Sequence, residues 1–105
     1  MLGPTRLALP LILIAGAAAA QEPSAACRRD VLVAESSLNL ARDDLDRVGD
    51  SDADRCRAWR ANVATLRRAG TVFGRCLAGR ERAERVAQVE TPAREFEGLL
   101  RERCR

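Results

Sequence analysis

The sequence predicts an all-α protein, an antiparallel three-helix bundle stapled by two disulfides and preceded by an N-terminal signal peptide. Three observations carry that prediction. Four cysteines, Cys27, Cys56, Cys76 and Cys104, lie at near-even spacing. Apolar residues recur at alternating steps of three and four, the period of a helix face. Aromatic residues are limited to Trp59, Phe73 and Phe96, a composition that favours helix over sheet.

The first segment reads as an export signal. Met1 to Arg6 carries one positive charge, Leu7 to Ala20 is an apolar run, and Ala18-Ala19-Ala20 supplies the small residues that signal peptidase requires, with cleavage expected after Ala20. A membrane-spanning helix needs about 20 apolar residues. This run is shorter and contains Pro10 and Gly16. The mature part, residues 21–105, is expected to be one small domain in the periplasm or outside the cell, with no stable membrane insertion. At that size burial alone gives only about 3–5 kcal/mol, so covalent staples are expected.

Helix one is expected from Cys27 to Val48, where Cys27, Val31, Ala34, Leu38, Ala41, Leu45 and Val48 form one stripe. Gly49-Asp50-Ser51 breaks it. Ser51 or Asp52 can cap helix two by accepting a hydrogen bond from a free backbone N–H. Helix two carries two stripes. One is Cys56, Trp59, Val63, Leu66, Gly70, Phe73 and Leu77, with Trp59 expected as a core anchor; the other is Ala58, Thr65, Ala69, Val72 and Cys76. A helix with two contact faces suits the middle of a bundle. Gly79 is expected to end helix two, because glycine takes the left-handed conformation without strain.

In the third segment Val86, Val89, Ala93, Phe96, Leu100 and Cys104 hold one phase across Thr91-Pro92. Proline fits the first turn of a helix, so the expectation is a short helix, a break at Thr91-Pro92 and a final helix; a single helix kinked at Pro92 is the alternative.

Helix geometry prunes the cysteine pairings. Cys56 and Cys76 on one helix would lie about 30 Å apart at 1.5 Å per residue, far beyond the roughly 4.4–6.8 Å between Cα atoms that a disulfide allows. Cys27 and Cys56 would begin two antiparallel helices, at opposite ends of a hairpin. The surviving scheme joins Cys27 to Cys76 and Cys56 to Cys104. The wide spacing and the absence of histidine speak against a zinc site, and no C-x-x-C pair is present for redox chemistry.

Charge is asymmetric along the chain. Asp30 to Asp54 contains eight carboxylates, whereas Arg55 to Arg80 contains seven arginines and no carboxylate. One reading is mutual attraction of neighbouring helices, at about 0–1 kcal/mol per exposed pair. The other is a binding face: Arg57, Arg60, Arg67, Arg68 and Arg75 fall on the flank or back of helix two, where guanidinium forks could meet an anionic envelope protein or polymer. No nucleic-acid partner is expected, because charge is near balance, 17 arginines against 15 carboxylates once Arg6 is lost from the 18, and stacking side chains are scarce.

Catalytic and metal signals are weak. Asp50, Asp52 and Asp54 alternate like the opening of a calcium loop, but Arg55 stands where glycine is required and Ala61 where a glutamate should close it. Ser36 and Ser37 have no histidine to activate them, and Asp43 and Asp44 have no partner that would shift them into acid–base use. A non-enzymatic protein without cofactor or metal is expected.

The run Leu38-Asn39 on a helix, followed by Cys56, Trp59 and Cys76 in an exported helical domain, resembles the N-terminal domain of the LprI-type lysozyme inhibitors over roughly half of the mature chain. Ala41 lies where that family has an aromatic, and Trp59 is farther from its cysteine. The resemblance implies an inhibitor or regulator of an envelope enzyme.

Overall fold

The computed structural model describes residues 23–104; the expected signal peptide lies outside the described residues. The described chain is three helices joined by two short turns: α1 (Ala25–Asp46), α2 (Asp52–Cys76) and α3 (Gly79–Arg103), with no strand among the described residues.

The caps explain the boundaries. Ser24 Oγ accepts the Cys27 N–H at 3.0 Å to open α1, and Ser51 Oγ accepts the Asp54 N–H at 3.0 Å to open α2. Asp52 and Asp54 in the first turn of α2 and Arg75 in its last turn oppose the helix dipole at both ends. Three boundaries differ from expectation. Helix α1 stops at Asp46, short of Val48, with the Arg47 N–H folded back on the Asp44 carbonyl at 3.1 Å. Helix α2 stops at Cys76, and Gly79, with φ of 62°, opens α3 instead of closing α2. The left-handed residue is where the sequence puts it, but it serves the turn between the helices.

The third difference is at Pro92, where α3 runs on unbroken. Val89 and Ala93 on either side are 3% and 0% exposed, and a break between them would turn one out of the core. Proline removes only the hydrogen bond to the Gln88 carbonyl, and Gln88 and Pro92 border an open cleft where water can replace it.

The core centres on α2. Phe73, the largest fully buried side chain, is 1% exposed and packs in a cluster with Ala34 of α1, Leu66 and Ala69 of α2, and Val89 and Ala93 of α3. Alanines at the crossings bring the backbones close. Trp59 is half-buried and stands outside this cluster. It lies about two turns into α2, toward the end of the bundle where α1 and α3 both finish, and is packed less completely than a core anchor requires.

Two bonds hold the ends. Cys27 at the start of α1 joins Cys76 at the end of α2, with Cα atoms 5.2 Å apart. Cys56 near the start of α2 joins Cys104 just beyond α3, with Cα atoms 5.8 Å apart. Both α1 and α3 pack on α2, yet no Cα of α1 lies within 8 Å of one in α3. The three helices therefore form an open arrangement with α2 in the middle and furrows on both sides.

Candidate functional site

Five of the six arginines of α2 point away from Phe73, and Arg55 alone falls in phase with it. Stepping 100° per residue from Phe73 places Arg57, Arg60, Arg68 and Arg75 on the far side and Arg67 on the flank toward α3. All five are exposed. Their partners divide them. Arg75 pairs with Asp30 of α1 at 2.9 Å, and Arg67 pairs with Glu97 of α3 at 2.5 Å. These two tie the outer helices to the middle one. Arg57 is held by Asp54 on its own helix.

Arg60 and Arg68 remain. Neither has a carboxylate in ion-pair range among the described residues, and Arg68 reaches only the Thr65 hydroxyl, at 3.4 Å. The sequence-based face of five thus contains three side chains already engaged and two whose guanidinium groups are free.

Beside Arg68, between α1 and α2, lie two adjoining hollows of about 240 and 310 Å³. Ser37, Thr65 and Arg68 border both, so they form one furrow. On its α1 wall Val33 and Leu40 are 57% and 61% exposed.

A second cleft, of about 260 Å³, opens on the opposite face between α1 and α3. Phe73, Leu66 and Val89 form its floor, and Arg42 and Arg85 stand at its edges. Arg85 lies 4.4 Å from the centroid of the Phe73 ring and 3.6 Å from Glu35, the one ion pair linking α1 to α3 among the described residues. Its guanidinium is thus held in place by a ring face and a carboxylate.

Asn62, missed by the sequence reading, is buried between α1 and α2 and borders both the furrow and this cleft. The signal was present. Position 62 is the missing member of the stripe Ala58, Thr65, Ala69, Val72, so its phase marks it as a polar residue inside. Arg85 left no such trace, because its role depends on the distance between two helices.

The alternating aspartates are used locally: the Asp52 carboxylate pairs with Arg55 at 2.6 Å and that of Asp54 with Arg57, while Asp50 accepts from Arg55 through its backbone carbonyl at 2.7 Å. Among the described residues no group of three or more His, Cys, Asp or Glu side chains is placed to hold a metal ion. No helix among them is long and apolar enough to cross a membrane. Ser36 and Ser37 lie exposed and half-buried on α1. The chain matches no family model, no curated protein and no solved structure.

Proposed function

We propose that the chain is a non-enzymatic interaction module of the bacterial envelope, exported by its N-terminal signal and built as an antiparallel disulfide-stapled scaffold, that binds an anionic partner through the arginine face of α2. The observation that supports this most is the pair Arg60 and Arg68, exposed on a helix without a carboxylate from Arg55 to Cys76 and left unpaired while their neighbours are engaged. Each free guanidinium presents a planar fork that matches carboxylate or phosphate, and the helix fixes the spacing between them. The disulfides fit an oxidising compartment.

The test is capture from an envelope extract by the oxidised protein and by an Arg60→Glu/Arg68→Glu variant. Arg67 and Arg75 stay intact, because reversing them would break the ties to α3 and α1 and confuse unfolding with lost binding. A partner retained by the first bait and lost by the second, with unchanged circular dichroism, is the expected result. Equal recovery by both sinks the proposal.

A further inference from the structure

We infer that the cleft between α1 and α3 binds a small carboxylic acid with an apolar tail, its carboxylate held by the Asn62 amide and the Arg42 guanidinium. The inference is independent of the arginine face of α2, which lies on the back and flank of that helix.

Asn62 is the residue that the fold alone does not account for. It is 7% exposed, and its side-chain amide makes no hydrogen bond to the protein among the described residues. Burying an amide without a partner is costly. Yet no sealed side-chain nitrogen or oxygen among the described residues lacks a partner, so both amide atoms of Asn62 open onto the hollows it borders. Phase gives the direction. Asn62 and Phe73 are eleven residues apart, which at 100° per residue leaves them about 20° from each other, so the amide is turned toward the cleft whose floor Phe73 forms.

Arg42 meets it there. Asn62 lies fourteen residues before Cys76 and Ala41 fourteen after Cys27, so the disulfide sets Asn62 opposite Ala41 and Arg42 at the level of the amide. Arg42 lines the cleft and has no ion pair among the described residues. Two unpartnered donors thus converge at one end of the cleft. Leu38, Leu66, Val89 and Phe96 continue from them as an apolar bed. At about 260 Å³ the cleft is near the lower end of small-molecule sites, roughly 300–1,000 Å³, which are likewise mostly apolar with a few convergent polar groups.

The donors select the headgroup. Two arginines and no carboxylate line the cleft, and Arg85 is already engaged by Glu35. Free carboxylates stand outside it: Asp43 and Glu95 turn about 180° from buried Ala34 and about 160° from buried Ala93, away from α2. Asp46 follows Arg42 by one turn at the end of α1, and Glu81 and Glu84 precede Arg85 at the far end. Charge around the cleft is therefore near balance, which disfavours a polyanion and leaves a single carboxylate accepting from Asn62 Nδ2 and Arg42. The Gln88 carbonyl, deprived of a donor by Pro92, lies opposite Val72 in the register of the Cys56–Cys104 bond, about 15 Å from the level of Asn62 at 1.5 Å per residue. It does not face the carboxylate.

The probe is octanoate, titrated into the oxidised protein below its micelle concentration and followed by NMR, with neutral octanamide as control. Saturable shifts are expected at the Asn62 side-chain amide, Leu66, Val89 and Phe96, with octanamide at least about fivefold weaker. Arg42→Gln, at an exposed position, should weaken octanoate by a similar factor and leave octanamide unchanged. Asn62→Leu should raise the melting temperature, because it removes the unpaired amide, and should also weaken octanoate; a stabilised Asn62→Leu variant with unchanged affinity would make the amide merely structural and overturn the inference. Equal binding of octanamide, absence of saturable shifts, or shifts at Ser37, Leu40 and Thr65 in the furrow would overturn it too. The Arg60→Glu/Arg68→Glu variant should bind octanoate normally, so this site and the arginine face of α2 fail separately.

Discussion

Removing one disulfide at a time measures how far this scaffold depends on covalent closure. The bonds span 49 and 48 residues, so the chain-entropy model gives each about 4 kcal/mol in isolation. The loops overlap between Cys56 and Cys76, so a bond lost while the other remains costs less than that, and we expect about 2–4 kcal/mol for Cys27→Ala/Cys76→Ala. The corresponding Cys56→Ala/Cys104→Ala variant should lose more, because Cys56 is buried whereas Cys27 and Cys76 are half-buried. Urea titration followed by helical circular dichroism reads both values. With a core expected to supply about 3–5 kcal/mol by itself, the fully reduced protein should stay folded at 25 °C with a urea midpoint far below that of the oxidised form. A loss below about 1 kcal/mol for both variants, or an unchanged midpoint after full reduction, would refute the reasoning by showing that packing on α2 suffices.

Phe73→Ala should cost about 3–5 kcal/mol and Phe73→Leu much less, since the former empties the centre of the cluster; thermal melts separate them. Gly74→Ala, in the last turn of α2 where an added Cβ meets nothing within 4 Å, should stabilise by up to about 0.5 kcal/mol. Gly79→Ala should destabilise by about 1 kcal/mol despite equally open space, because its φ of 62° disfavours a side chain. Pro92→Ala should raise the melting temperature by restoring a donor to the Gln88 carbonyl, worth up to about 3 kcal/mol, and a lower melting temperature would mean that the ring's contacts in the cleft outweigh the missing bond.

Three helices were legible because their stripes are regular and their turns are marked by Gly49 to Ser51 and by Gly79. The reach of a disulfide likewise limits which cysteines can meet on such helices. What misled was local chemistry read without its surroundings. Thr91-Pro92 is a boundary signal in an isolated helix, but Val89 and Ala93 bury themselves on α2 and carry the helix through. Trp59 has the right phase and the wrong level, since phase gives a direction around α2 and says nothing about how far the neighbours extend. The arginines were legible as a group. Their division into engaged and free depends on which carboxylates of α1 and α3 come alongside, which spacing along one helix does not encode.

The openness of the bundle has a cause in the width of its stripes. A closed three-helix bundle needs two contact faces on every helix, and only α2 has two. On α1 the seam of Val31, Leu38 and Leu45 is bordered by Glu35 and Arg42, and on α3 Arg85 and Gln88 stand on the side facing them. Charged side chains there keep α1 and α3 apart and leave the Glu35–Arg85 pair to bridge the gap at 3.6 Å. That pair is partly exposed, 43% for Glu35 and 26% for Arg85, so a double-mutant cycle with alanine should give a coupling below about 1 kcal/mol. Arg85→Ala should nevertheless cost more than Glu35→Ala, since it also uncovers the Phe73 ring. Equal single-mutant costs with a coupling well above 1 kcal/mol would mean that the ion pair itself sets the distance between α1 and α3, and that stripe width does not.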